Sequence, residues 1–357
     1  MIKHLTLHNF TVFKDANLKF SSGLNVIIGE NGTGKTHLLK ISYLLSCALS
    51  NTGNEAIRSN ELWENYLSTR IKNIFKVDKI GNLVNTNSND QCSVGLSFFS
   101  MGEQDLVFAE SNRWFSFSNR SKEKVSLERY DFDFLNMHEY GKSVYLPTKE
   151  MVSFFDGFLA LYEKRELQFD ETYRDLALNL SASKLKNPPS FIKKDLNQLH
   201  SDVGGSLKLE GGKFYLLTPG SKPREITLVA EGVRKIATLL HLLENGSLEV
   251  GDTLFWDEPE SNLNPKLIKD VAAALLFLCQ HGIQVVVGTH SLFLLREIEI
   301  LTNQKPFKSI PQRYFALGKI NNGVGIQQGD SVDDINPFVM LDEELAQSDR
   351  FIAVEED

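Results

Sequence analysis

The run Gly29-Glu30-Asn31-Gly32-Thr33-Gly34-Lys35-Thr36 narrows what this chain can fold into more than any other feature. It follows a short apolar segment of buried-strand type, Leu24-Asn25-Val26-Ile27-Ile28. It precedes a stretch from Lys35 to about Ser50 that carries Leu38, Leu39, Ile41, Leu44 and Leu45 on one helical face. Strand, glycine loop and helix in that order make a phosphate cradle. Glycines let backbone N–H groups turn inward, and the helix N-terminus adds partial positive charge. In such a loop Lys35 is expected to reach the β- and γ-phosphates and the Thr36 hydroxyl to bind Mg²⁺. ATP and Mg²⁺ are the cofactors this implies.

The second half of the chain supplies candidate partners. The apolar run Leu254-Phe255-Trp256 ends in Asp257-Glu258. There Asp257 is the candidate metal carboxylate, and Glu258 the candidate general base for an attacking water. A second apolar run, Gln284-Val285-Val286-Val287, ends in Gly288-Thr289-His290-Ser291. His290 is placed to contact the γ-phosphate and that water. Glu258, His290 and Lys35 are therefore the candidate catalytic residues.

These motifs, in this order, resemble the ABC-type ATPase heads, most closely the soluble branch of the SMC, RecF and overcoming-lysogenization-defect ATPases. The resemblance implies an α/β fold: an ABC-type P-loop NTPase head with an antiparallel β subdomain and a helical insert or lid. It implies Asp257-Glu258 as the Walker B pair, Ser261-Asn262-Leu263-Asn264-Pro265 as the D-loop and His290 as the switch histidine. It puts the signature motif at Leu228 to Lys235. The family's usual Leu-Ser-Gly-Gly-Gln/Glu is altered here. Ala230 replaces the serine, Glu231 the first glycine, and Gly232 alone matches. The grip on a second subunit's nucleotide would then rest on Glu231, Gly232, backbone amides and the basic pair Arg234-Lys235. By the same resemblance Phe13 lies where relatives contact adenine, and Thr148-Lys149-Glu150 where a lid or Q-loop equivalent lies.

The expected organisation is an ATPase core in two halves, 1–50 and 225–312, an insert over 51–224, and a C-terminal tail over 313–357 with one short strand. The insert is too short for SMC coiled-coil arms and shows no sustained heptads. Its Lys184, Lys186, Lys193 and Lys194 around Pro188-Pro189 form the best local candidate for DNA or partner contact. A formal charge of −8 argues against a general attraction to nucleic acid. Three dispersed cysteines, Cys47, Cys92 and Cys279, fit a reducing cytoplasm. The start lacks a signal peptide's apolar core, and no run reaches membrane-spanning length, so no membrane partner is expected.

By resemblance, the chain is expected to be a regulatory or scaffold ATPase. It would dimerise head to tail, or form a higher oligomer, around sandwiched ATP. It would control a separate effector, a nuclease or toxin, in bacterial anti-phage defence of the Septu or retron-associated type. The alternative is a DNA-repair-type ATPase that clamps DNA; a transporter ATPase fits the altered signature and long insert less well.

Overall fold

The computed structural model describes residues 1–50, 59–86, 91–99, 115–127, 141–191, 197–321, 323–335, 346–347 and 349–352. Its strands are β1 (Ile2–Phe10), β2 (Phe13–Lys19), β3 (Leu24–Gly29), β4 (Cys92–Phe98), β5 (Phe115–Phe117), β6 (Ser126–Leu127), β7 (Ser143–Leu146), β8 (Ser206–Glu210), β9 (Lys213–Leu217), β10 (Arg224–Glu225), β11 (Thr253–Asp257), β12 (Gln284–Thr289), β13 (Gln312–Ile320) and β14 (Gly323–Gly329). Its α-helices are α1 (Lys35–Ser50), α2 (Asn60–Phe75), α3 (Phe158–Glu163), α4 (Glu171–Ser181), α5 (Asn197–Val203), α6 (Glu231–Glu244), α7 (Pro265–Gln280) and α8 (Leu292–Thr302).

The strand before the glycine loop, β3, lies inside a six-stranded sheet of order β14-β13-β3-β12-β11-β7. Its pairs are parallel except β13–β14. Inner strands of a parallel sheet are covered on both faces, which is why β3, β11 and β12 read as unbroken apolar runs. Alternate residues divide cleanly between the two faces. Leu24, Val26, Leu254, Trp256, Val285 and Val287 face a core formed with α4, α6, α7 and α8. Ile27, Phe255 and Val286 face the other core, formed with α1, α2 and the antiparallel sheet β2-β1-β4-β5-β6. Gly211 and Gly212, both at positive φ, turn β8 into β9, and β10 extends this hairpin. The fold is thus the expected α/β class, with the phosphate loop at the C-terminal edge of the parallel strands, where open α/β sheets bind ligands.

Two placements differ from the organisation read in the sequence. The strand β7, inside the stretch read as an insert, is the edge of the parallel sheet and pairs with β11. Among its described residues the tail holds two strands, not one: β13 runs parallel to β3 and turns back into β14. A short apolar run reveals a strand but not its distant partner. Residues 106–108, expected as a strand, and Asp342-Glu343-Glu344, expected as helical, lie outside the described residues.

Gln284 is one of the side chains that join the two sheets. Gln284, fully buried at the start of β12, donates from Nε2 to the carbonyls of Ile2 and Ser21, both at 2.7 Å. Its Oε1 accepts from Ile2 N at 2.7 Å and from the Thr253 hydroxyl at 3.1 Å. Gln284→Leu keeps the volume but leaves the Ile2 amide and carbonyl unpaired. A loss of about 2–3 kcal/mol is expected in urea unfolding, because each orphaned buried group costs about 1–3 kcal/mol.

Candidate functional site

The glycine loop leaves β3 at Gly29 and enters α1 at Lys35. Gly32 and Gly34 have φ of +82° and +92°, a conformation that other residues adopt at a cost. A Cβ on Gly34 would lie 2.7 Å from both Val12 Cγ2 and Phe13 Cζ. The Phe13 ring is therefore the wall behind the loop. It is 0% exposed, so the adenine contact expected of it is not available to its ring. Phe13, Ala16 and Leu18 are the buried residues of β2. Val12, one position earlier, lines the cleft instead, with Asn31, Gly32, Lys35, Thr36 and Glu258 around about 230 Å³.

Lys35 is buried, and its ammonium donates to the carbonyls of Gly29 at 2.7 Å and Glu30 at 3.0 Å. Burial lowers its pKa, while the charges of Glu258, Asp257, Glu260 and Glu30 pull it back up. Glu30 is itself anchored, accepting from Lys319 Nζ on β13 at 3.0 Å. Thr33 closes the loop by donating its hydroxyl to the Glu30 carbonyl at 2.8 Å.

The Thr36 hydroxyl donates to Asp257 Oδ2 at 2.8 Å. The other oxygen, Oδ1, is buried without a hydrogen-bond partner. A Cβ on Gly288 would stand 3.3 Å from that oxygen. Among the described residues no group of three or more His, Cys, Asp or Glu could hold a metal alone. A lone hydroxyl and carboxylate with one free buried oxygen suit Mg²⁺, which takes few protein oxygens and completes its shell with phosphates and water. Asp257 and Thr36 are the residues that would hold it.

Glu258 follows with φ +49°, held by its N–H donating to the Gly288 carbonyl at 2.8 Å. Its Oε1 stands 3.3 Å from His290 Nδ1, so the candidate base and the candidate switch histidine are brought together. His290 is 46% exposed. Two further residues shape this end, and the motifs did not single them out. Glu260 is buried, and its Oε1 accepts from the Thr289 hydroxyl at 2.6 Å and the His290 amide at 3.3 Å. Tyr145 on β7 reaches Asp257 Oδ2 with its hydroxyl at 3.4 Å. The run Asp257-Glu258-Pro259-Glu260 did signal a third carboxylate; nothing local marks Tyr145.

The signature segment opens α6, whose first residues lack a side-chain cap because Ala230 sits at the N-cap. Glu231 Oε1 accepts from Asn262 Nδ2 at 3.0 Å. Gly232 is required by packing, since a Cβ there would lie 2.6 Å from Leu263 Cδ2 and 2.9 Å from Leu267 Cδ1. The basic pair is engaged within its own chain. Arg234 Nε lies 2.8 Å from Glu150 Oε1, and Lys235 Nζ donates to the Ser261 carbonyl at 2.8 Å. Glu150, expected in a lid, is buried as the partner of Arg234. The expected basic cluster thins as well. Lys184 is paired with Glu244 at 2.6 Å, and Lys193 and Lys194 lie outside the described residues.

Fold and site together define an α/β head of P-loop type. A family match then narrows the class: residues 24–296 match the family described as "AAA domain, putative AbiEii toxin, Type IV TA system", and the chain belongs to that family of ATPases. Two solved structures share the fold. An Smc head bound to the C-winged helix domain of ScpA superposes with a TM-score of 0.53 at 13% identity, over 93% of this chain and 98% of that one. The Pyrococcus furiosus Smc head with an extended coiled coil, bound to the C-terminal domain of ScpA, gives 0.51 at 11% identity, over 98% and 99%. The DNA replication and repair protein RecF of Pediococcus pentosaceus is 45% identical over 53 residues, 15% of this chain and 14% of that protein. RecF of Bacillus cytotoxicus is 44% identical over 63 residues, 17% of each chain. The matches thus span under a fifth of these relatives' length. No helix among the described residues is long and apolar enough to cross a membrane.

Burial raises the Asp257 pKa, the Thr36 hydrogen bond opposes this, and the nearby Glu258 charge adds to it. A carboxylate whose folded pKa is raised stabilises the fold below its unfolded value, and that contribution is lost as pH rises through the folded pKa. At pH 7, above the ordinary carboxylate range, that upward shift therefore costs stability in the nucleotide-free protein. Asp257→Asn is expected to raise the nucleotide-free melting temperature by about 2 °C and to abolish the further rise that Mg·ATP gives the parent chain. Differential scanning fluorimetry reads both.

Proposed function

We propose that this chain binds ATP with Mg²⁺, hydrolyses it, and uses the cycle to control a separate effector. One observation carries the proposal. Lys35, the Thr36–Asp257 hydrogen bond and the Glu258–His290 pair converge on a single cleft at the end of the parallel strands. The loop amides and Lys35 would hold the β- and γ-phosphates, Lys35 exchanging loop carbonyls for phosphate oxygens. Thr36 and Asp257 would hold Mg²⁺, which neutralises phosphate charge. Glu258 would take the proton of the attacking water, and His290, 3.3 Å from its carboxylate, would orient that water against the γ-phosphate.

The second half of each site would come from another copy of the chain, in a head-to-tail dimer or higher oligomer. Its contribution would rest on the uncapped first amides of α6, since Glu231 and the Arg234-Lys235 pair are engaged within their own chain. The family's description, a putative AbiEii toxin of a type IV toxin–antitoxin system, supports a toxin-linked role; the separate effector, a nuclease or toxin, and its place in bacterial anti-phage defence are part of the proposal. A DNA clamp draws support from the RecF matches, but these are local, and Lys184 is already paired.

In ATP, Glu258→Gln is expected to lower turnover about 100-fold or more and to accumulate the assembled particle by light scattering. Lys35→Ala should lose both nucleotide binding and assembly. If neither substitution alters particle mass or turnover, the proposal fails. Salt-sensitive binding of duplex DNA to the assembled form would favour the clamp instead.

A further inference from the structure

The acidic turn after β11 places Glu258 in a left-handed conformation that a non-glycine residue holds only when its surroundings impose it. Its N–H is fixed by the Gly288 carbonyl at 2.8 Å. Its carbonyl accepts from Ser261, through the backbone N–H at 3.1 Å and the hydroxyl at 3.0 Å. Ser261 is held in turn from outside the turn. The Lys235 ammonium, on the second turn of α6, donates to both the Ser261 carbonyl and the Ser261 hydroxyl oxygen.

The donors therefore run in one direction, from the Lys235 ammonium to the Ser261 hydroxyl and on to the Glu258 carbonyl. A hydroxyl that accepts from a cation becomes a better donor to its next partner. Lys235 is only 4% exposed, a costly site for a charge, and its recorded hydrogen bonds go to Ser261 and not to a carboxylate. Burial lowers its pKa, and the charges of Glu231, Glu260, Glu258 and Glu150 around it oppose that shift. A buried ammonium spent on a backbone carbonyl and a hydroxyl is placed for geometry.

We infer that Lys235 is a positioning residue for Glu258: through Ser261 it ties the backbone of the catalytic turn to the signature helix. It deepens the ATPase reading above and, for its effect on turnover, rests on it. The tie gives a route between the two halves of the site. The N-terminus of α6 is the part that would meet the second copy's nucleotide, and Lys235 lies one turn further along the same helix. A shift of α6 would pull on Ser261 and so on the Glu258 carbonyl.

The test uses the full chain and two readouts. In the nucleotide-free protein, hydrogen exchange of the amides over 258–263 is expected to quicken in Lys235→Met, and not in Lys269→Met, a lysine exposed on α7. In turnover, Lys235→Met should lower kcat about 10- to 100-fold, the scale of a misplaced reacting group, with KM unchanged. Added to Glu258→Gln it should cost nothing further, since both act through one group. If Lys235→Met lowers the melting temperature of the whole chain, Ser261→Ala carries the test, with the same direction expected in both readouts. Unchanged exchange over 258–263 overturns the inference, and so does a rise in KM at constant kcat. Should the parent chain show no turnover while Lys235→Met still loosens the segment, the ATPase reading falls and the tie stands.

Discussion

The hydrogen bond from Thr36 to Asp257 spans an entire strand. Thr36 follows β3 and Asp257 ends β11, yet β12 lies between those two in the sheet. The reach is possible because β12 carries Gly288 opposite Asp257, where a side chain would meet Leu39 Cδ1 at 2.9 Å and crowd Asp257 Oδ1 and Lys35. The carbonyl of the same glycine accepts from the Glu258 N–H. One residue thus clears the space between loop and carboxylate and fixes the turn that follows. The parallel register brings all three strand ends to a common edge, where backbone groups leaving the sheet are free to bind a ligand.

That edge concentrates charge in a way that shapes the rest of the site. Asp257, Glu258, Glu260, Glu150 and Glu231 crowd one region, and two buried ammonium groups, Lys35 and Lys235, lie among them. Both lysines spend their recorded hydrogen bonds on neutral oxygens: Lys35 on Gly29 and Glu30 carbonyls, Lys235 on Ser261. Neither closes a tight ion pair with the acidic turn. Asp257 Oδ1 and Glu260 Oε2 stay buried without hydrogen-bond partners. Burying polar groups unpaired costs free energy that packing elsewhere must offset, and such arrangements gather where function requires them.

Much of this was legible in the sequence, and the reason is local. The glycine loop, its strand and its helix are contiguous, so periodicity and turn chemistry reveal them together. The acidic turn and His290 each end a buried-type strand and were equally visible. Long-range pairing was not: β7 carries no mark of its partner β11, and nothing in β13 announces β3. Phe13 shows the limit of motif position alone: it stands three places from Ala16, so strand alternation does not set its ring, and its packing behind the glycine loop is visible only in the fold. Lys235 offers the opposite lesson. Gly232, Lys235, Ile236, Leu239 and Leu243 follow helical spacing, so a lysine stood on an apolar stripe, where a charge survives only with a partner.

The stretch between the two ATPase halves is bound into the site by buried polar contacts, beyond the pairing of β7. Tyr145 reaches Asp257 with its hydroxyl, and its ring packs 5.4 Å from that of Tyr43 on α1. Tyr43 donates to Asp175 on α4 at 2.7 Å, and Arg70 on α2 binds Asp175 at 2.7 Å and Glu171 at 3.1 Å. Lys40, one turn before Tyr43 on α1, donates to Asp170 at 2.8 Å, the residue that caps α4. The helix that begins at the phosphate loop is therefore clamped by α2 and α4 at two successive turns. Removing one member of such a buried pair leaves the other charge without compensation, which is worse than never having had the pair. These helices cannot detach from the end of the sheet that carries Lys35, Thr36 and Asp257 without exposing that cost.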